Sequence, residues 1–349
     1  MLFVFPIGGR GLPRRLALLA GLFLSMGYAH ASGPLTLDEA WRLAESANPA
    51  LRTARAGLDA AEGQLRDASG LLYNNPQLST DQTRRRAAQA GSPDNRYHEQ
   101  SVGISQTFEI AGQGGHRQEA ASRELAAVTA NVDEVRRQTR AETEQRFYRV
   151  LVLQRRIETE REALAAIEGA ASAVRKRVAV GEDSRLDGNL ATVEAERNQL
   201  AVLAEQLLQT RAELAATLQL PVRTLPEVSG ELPSTMPTAS LDALLASLRE
   251  RPLLRSLEHR EQAARSRLGL ERAAVYPDIT IGLSAGREAP YDAREQFSRL
   301  TFSIPLPLFR RNEAGIGKAS SELTQAEIER QTSERDVAAQ VHALWQRLD

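Results

Sequence analysis

The side chains of this sequence that could do chemistry are four of its five histidines, one glycine-rich stretch and a dense population of Glu and Arg. His98, His116, His259 and His342 stand apart. None has a second histidine at the i, i+3 or i+4 spacing that sets two metal ligands on one helix face, and the acids near them are incidental. The stretch "AGQGGHRQ" at 111–118 is Gly-rich but lacks the Lys-Ser/Thr that grips phosphates in a P-loop. The G-x-S-x-G string at 282–286 lies inside an alternating strand-like run and not at a strand-to-helix elbow, and no H-E-x-x-H helix occurs. The Glu–Arg neighbours read as solvated helix faces, not acid–base pairs. No catalytic site, metal site or cofactor is expected. The remaining polar feature is "RVAVGEDSRLD" at 177–187, a short tip between two long helical stretches.

What must position that tip begins with compartment. Arg10, Arg14 and Arg15, an apolar run of about fourteen residues and Ala29-His30-Ala31 form a secretory signal with a small-x-small cleavage site, so residues 1–31 are predicted to be removed. The run is shorter than the roughly 20 residues a membrane-spanning helix needs. Loss of three Arg takes the net charge from -1 to about -4, the wrong sign for binding nucleic acid. The chain has no cysteine, which removes disulfides, zinc thiolates and thiol nucleophiles. Nothing later in the chain approaches a helical membrane span, but alternating β-strands would not register on such a scan.

The sequence repeats itself. "TLDEAWRLAESANPALR" from Thr36 matches "SLDALLASLRERPLLR" from Ser240, with Pro49 on Pro252, Ala60-Ala61 on Ala263-Ala264 and Tyr73 on Tyr276. Each copy opens with a helix cap, Thr36 or Ser240, and Thr36 with Glu39 makes a capping box. Pro49 and Pro252 suit the first turn of a second helix, which is predicted to run to Tyr73 or Tyr276 and stop at a Pro. Two units follow: 32–230 and 231–349.

After that Pro the hydrophobic period changes from 3.6 to 2. Ile279, Ile281 and Leu283 alternate with Asp278, Thr280 and Gly282. In "RLTFSIPLPLF", Leu300, Phe302, Ile304, Leu306 and Leu308 share one face. In the first copy Val102, Ile104, Phe108 and Ile110 do the same, whereas "PQLSTDQTRRR" carries one clear apolar residue, Leu78. Four strands are predicted. The helices offer them no spare apolar face, because from Phe147 through Val150, Ile157, Leu164 and Val174, and from Leu186 through Val193, Leu200, Leu207 and Leu214, apolar residues follow a narrow heptad seam. Arms of roughly 35 residues would span about 50 Å.

These features together resemble the outer membrane factor family, the TolC-like exit ducts of tripartite efflux pumps and type I secretion systems. The resemblance covers the mature chain almost end to end and rests on the duplicated helix-helix-strand-strand-helix layout. It rests also on "ISQTFEIAGQGGHR" and "FSIPLPLFRRN" at the strand-to-helix junctions and on the tip. "QTFEIAGQGGHR" is most similar to the branch serving heavy-metal resistance pumps. The fold implied is mainly α with a small β part: long antiparallel coiled-coil hairpins, and four strands contributed to a trimeric transmembrane β-barrel.

The resemblance implies a homotrimer in the outer membrane of a Gram-negative cell, with helices reaching into the periplasm. Val102, Ile104, Ile279, Ile281, Leu283, Leu300, Phe302 and Ile304 would face lipid. The partners implied are a periplasmic adaptor and an inner-membrane pump, with the tip, Val180, Gly181, Ser184, Arg185, Leu186 and Asp187, docking on the adaptor. Glu182 departs from the family's tip, where an apolar residue is commoner. A type I secretion duct, a soluble adaptor and a purely structural exported coiled coil remain as alternatives. Tyr148 corresponds to Trp345, beyond which only "QRLD" remains, so the second repeat is expected to be incomplete and the 349-residue chain unable by itself to form a gated channel.

Overall fold

In a computed structural model, residues 33–87, 95–181, 186–233, 239–288 and 295–347 are described. The predicted signal and most of both strand-connecting loops lie outside them. Helix α1 (Leu37–Ala47) starts at Thr36, whose hydroxyl accepts from the Glu39 amide while the Glu39 carboxylate accepts from the Thr36 amide. The predicted capping box is present. Helix α2 (Pro49–Ala68) takes Pro49 in its first turn and is capped by Asn48. It ends five residues short of the predicted Tyr73, at Ser69 and Gly70, where the chain turns toward β1.

Strands β1 (Gln77–Ala87) and β2 (Asn95–Phe108) form an antiparallel pair. Helix α3 (Gln113–Ala179) is a single rod of 67 residues, about 100 Å long at 1.5 Å per residue. It contains no proline, and its lower half is the first arm of the predicted hairpin. Helix α4 (Leu186–Thr217) is the returning arm. The second copy supplies α5 (Leu241–Ser247), α6 (Pro252–Ala273), β3 (Ile279–Glu288), β4 (Glu295–Ser303) and α7 (Glu313–Trp345). Ser240 caps α5 as expected, and α6 stops at Ala273, three residues before Tyr276.

The lower half of α3 packs on α4 along the heptad seam. Phe147, Val150, Ile157 and Ala171 are buried on one arm, and Val193, Leu203, Leu214 and Leu218 on the other. Arg197 bridges to Glu168 across the arms at 2.7 Å. Where α1 crosses the pair, Ala40 and Ala44 join Phe147, Val150, Leu151, Leu214 and Leu218 in one cluster, closed by Val228 after α4. Leu35 pairs with Val228 in a short parallel bridge. The upper half of α3 packs on α2 and α6 through small residues, with Ala120, Ala127, Ala61, Ala263 and Ala264 buried. Small side chains let the rods approach closely: a β-carbon on Gly269 would lie 2.7 Å from the His116 ring.

The buried carboxylate of this region is well paired, although Arg251 Nε, His259 Nδ1 and Gln262 Oε1 are buried without a partner. Glu134 on α3 accepts from Arg137 and Gln138 at 2.9 Å each and from Arg251, the residue just before α6, at 3.4 Å. Burial pushes its carboxyl up, but those hydrogen bonds and the two guanidinium charges outweigh it and leave it below the usual carboxylate range. Ser256 donates to the Ala127 carbonyl at 2.8 Å, tying α6 to α3.

The four strands form one antiparallel sheet in the order β1-β2-β3-β4. The helices that flank the strands in sequence, α2, α3, α6 and α7, all join the sheet at one end, and among the described residues no helix packs along either face. No helix among the described residues is long and apolar enough to cross a membrane.

Candidate functional site

The register of the sheet decides what each face presents, because residues opposite one another on paired strands share a face. Leu78, Ile104, Leu283 and Leu300 form a row across all four strands. Toward the helical end come Ile281 opposite Phe302, then Phe108 opposite Ile279. Toward the loops come Thr80, Val102, Ala285 and Ser298. Leu78, Val102, Ile104, Leu283, Leu300 and Phe302 are each more than half exposed, which no water-soluble sheet would leave bare across four strands. Ile279 and Ile281 are half-buried. Seven of the eight residues predicted to share the aliphatic face thus lie in strands on that face.

Ile304 does not. Strand β4 ends at Ser303, and Pro305 and Pro307 cannot donate to a ladder, so Ile304, Leu306 and Leu308 form an exposed apolar tail beyond the sheet. Ile110 likewise lies two residues past β2. The opposite face is small and polar. Ser79, Gly103, Ser284 and Arg299 form one row and Asp81, Ser101, Gly286 and Phe297 another, while Thr107 and Thr280 share a hydrogen bond of 2.8 Å. Gly286 is required there, since a β-carbon would lie 2.5 Å from the Gln100 carbonyl and 2.7 Å from the Phe297 ring that covers it. Leu78 and Asp81 place the weakly patterned β1 squarely in this alternation.

At the helical end each copy turns from strand to helix through one left-handed residue: Gly112 at φ 78° before α3 and Asn312 at φ 54° before α7. The glycine-rich "AGQGGHRQ" therefore makes a corner, not a phosphate cradle. Glu109 and Arg117 form a two-pronged ion pair across that corner, and the Arg117 guanidinium lies over the Tyr73 ring at 3.4 Å. Gln113 donates to Asp278, just before β3, at 3.3 Å. Burial and the neighbouring Glu109 raise the Asp278 carboxyl, and Arg117 offsets them only in part. Sequence reading missed this cluster because its members come from both copies, Gln113 and Asp278 alone being 165 residues apart, and meet only in the fold.

At the other extremity, Val180 and Gly181 end α3. Gly181 has φ 81° and its amide donates to the Val178 carbonyl at 3.0 Å, a left-handed helix stop that favours Gly. Val180 is 71% exposed. Leu186 and Asp187 begin α4, while Ser184 and Arg185 lie outside the described residues. Among the described residues no three His, Asp or Glu side chains gather in a metal-binding group.

A sheet with one aliphatic face, two unpaired edges and a helical body at one end defines a class: a chain that gives part of a membrane barrel. The sequence profile of the outer membrane efflux protein family matches residues 41–218 and 244–348, and the chain belongs to that family. It is 28% identical over 307 residues to the cobalt-zinc-cadmium resistance protein CzcC of Cupriavidus metallidurans, covering 86% of this chain and 69% of that protein. It is 25% identical over 309 residues to the pyoverdine export outer membrane protein OpmQ of Pseudomonas putida, covering 84% of this chain and 65% of that one. Among solved structures, CusC superposes with a TM-score of 0.70 at 19% identity, covering 89% of this chain and 75% of that chain. The outer membrane protein VceC of Vibrio cholerae gives 0.68 at 21%, with 89% and 80% covered. The fold is theirs.

Proposed function

We propose that this chain is the outer membrane exit duct of a tripartite efflux pump, a passive channel and not an enzyme. The observation that carries the reading is the sheet: four strands, an aliphatic face exposed from edge to edge, and edges β1 and β4 with no partner. Four strands cannot close a barrel, and open edges are not tolerated in lipid. Because β1 and β4 run antiparallel, β4 of one copy can pair with β1 of the next, and three copies close twelve strands. A homotrimer in the outer membrane of a Gram-negative cell follows, with α3 and α4 in the periplasm.

The tip at Val180, Gly181, Ser184, Arg185, Leu186 and Asp187 would dock on a periplasmic adaptor coupled to an inner-membrane pump. Its support is position, at the far end of a rod from the sheet. A heavy-metal cation is the cargo we favour. Similarity to CzcC supports it, as does the non-lipid face, where Asp81, Glu99, Glu288 and Glu295 would line the pore. Similarity to OpmQ makes a siderophore the second cargo.

The test is reconstitution of the mature protein into lipid bilayers. A heat-modifiable trimer with stepwise conductance is expected, and a detergent-stable monomer without conductance would overturn the duct. For the tip, Gly181→Trp combined with Arg185→Glu should abolish cross-linking to a co-expressed adaptor while leaving the trimer in place. Unchanged cross-linking would refute docking at the tip.

A further inference from the structure

The charges of the sheet are sorted by face. All four acidic residues in the described strands, Asp81, Glu99, Glu288 and Glu295, fall on the polar face, together with Arg85 and Arg299. Arg85 pairs there with Glu99 at 3.3 Å, and Arg299 sits over the Phe297 ring at 4.9 Å. The aliphatic face has no acid among the described residues, yet toward the loops it turns cationic. Arg287 stands between Gln100 and Gln296, one row beyond Val102 and Ala285, and Arg84 stands opposite His98 a row further on. All three are exposed, and neither Arg84 nor Arg287 has an ion-pair partner among the described residues.

Height is what gives this pattern meaning. From Phe108 to His98 is ten residues of β2, about 34 Å along the strand and roughly 26 Å along the membrane normal at a tilt of about 40°. The apolar outer band of such barrels is about 25 Å tall. Arg84 and His98 therefore stand at its upper edge, with Arg287 just inside it and able to extend its head toward the surface. Unpaired cations facing lipid at that depth are costly unless the lipid itself supplies the anion, and guanidinium groups match phosphate oxygens in a two-pronged geometry.

We propose that Arg84, His98 and Arg287 form a binding site on the outside of the barrel for a phosphate-bearing lipid headgroup of the outer leaflet. It rests on the barrel reading above. The surface seats the lipid with its acyl chains over Val102, Ile104, Leu283 and Leu300 and its phosphate on the arginines, which would orient the barrel in an asymmetric membrane.

The experiment uses the mature protein reconstituted in nanodiscs of phosphatidylcholine alone or doped with bis-phosphorylated lipid A. Further arms contain dephosphorylated lipid A, or phosphatidylcholine with free inorganic phosphate. Retained lipid is counted by native mass spectrometry, and trimer insertion is scored separately by heat-modifiable migration. Retention of the bis-phosphorylated lipid at least five-fold above the dephosphorylated one is expected, with no protection by free phosphate. Arg84→Gln with Arg287→Gln should abolish the preference, and Arg85→Gln with Arg299→Gln on the pore face should leave it intact. A trimer that inserts but retains both lipids equally overturns the site alone, as does equal loss in the pore-face variant. A chain that inserts in none of the bilayers overturns the barrel reading and the site with it.

Discussion

The two copies of the repeat reach the same corner with different chemistry. Both leave the sheet through a left-handed residue and enter a long helix, α3 or α7. In the first copy the left-handed residue is Gly112, and the corner is held by charge: Glu109 on Arg117, and Arg117 over Tyr73. In the second it is Asn312, whose side-chain amide donates to the Glu271 carbonyl at 2.9 Å and so ties the corner to α6. Asn tolerates the left-handed region better than other L-residues and does the stapling itself. The duplicated geometry is thus set by the strand-to-helix turn, and the polar groups that secure it are free to differ.

The largest effect should come from the charged corner. Glu109 and Arg117 side chains are 16% and 18% exposed, so removing one leaves a partly buried charge unpaired. Arg117→Met should cost about 3 kcal/mol, near the low end for breaking a buried pair, because Glu109 would then face Asp278 without a cation between them. Asn312→Ala should cost about 1 to 2 kcal/mol, from one lost hydrogen bond and the left-handed φ. Thermal unfolding of the mature protein in detergent would rank them. Equal losses would mean that the turn, not the staple, holds both corners. The double variant Arg117→Met with Glu109→Leu should recover most of the loss, since an apolar pair is no worse than a buried ionic one.

What the sequence made legible follows from how local each signal is. The caps at Thr36 and Ser240, the Pro-started helices and the heptad seam depend on residues within one or two turns, and all appear in the fold. The alternation of β3 and β4 is equally local, but where β4 ends is not: the apolar period runs on through Ile304 and Leu308, and only the prolines and the lost ladder mark the boundary. Helix α3 was legible as an arm only from Phe147, because its upper half buries Ala120, Ala127, Thr139 and Thr143, small or polar residues that draw no hydrophobic stripe. The corner cluster and the sorting of charge by face needed the register, which pairs residues as far apart as Thr107 and Thr280.

A contact between the copies should rank next. Glu134 belongs to α3 of the first and Arg251 immediately precedes α6 of the second, where the first copy has the neutral cap Asn48. Glu134→Gln should cost about 2 kcal/mol at neutral pH, because two guanidinium groups lose their buried acceptor charge. The folded-state carboxyl titrates below its unfolded value, so this contribution is complete above the unfolded pKa and is lost as pH falls through the folded one. The gap between native and Glu134→Gln melting temperatures should therefore narrow on acidification. A gap independent of pH would assign the loss to packing.

The smallest effect has the opposite sign and sits where the two copies meet at the sheet. Asp278 precedes β3, accepts from Gln113 of the first copy's corner and is raised by its own burial and by the Glu109 charge. A carboxyl whose folded pKa lies above its unfolded one destabilises the fold when ionised, and that cost is relieved as pH falls through the folded pKa. Asp278→Asn keeps the oxygen that Gln113 needs and removes the charge. It should raise the melting temperature slightly at neutral pH, by an increment well under that of the corner variants, and the advantage should shrink as the solution is acidified. In the Arg117→Met background the gain should be larger, since Asp278 and Glu109 then repel without a cation beside them. Were Asp278→Asn destabilising in the native background but not in Arg117→Met, the carboxylate would be earning its place as a partner of Arg117, and the first corner would be a four-group network in which neither acid can be spared.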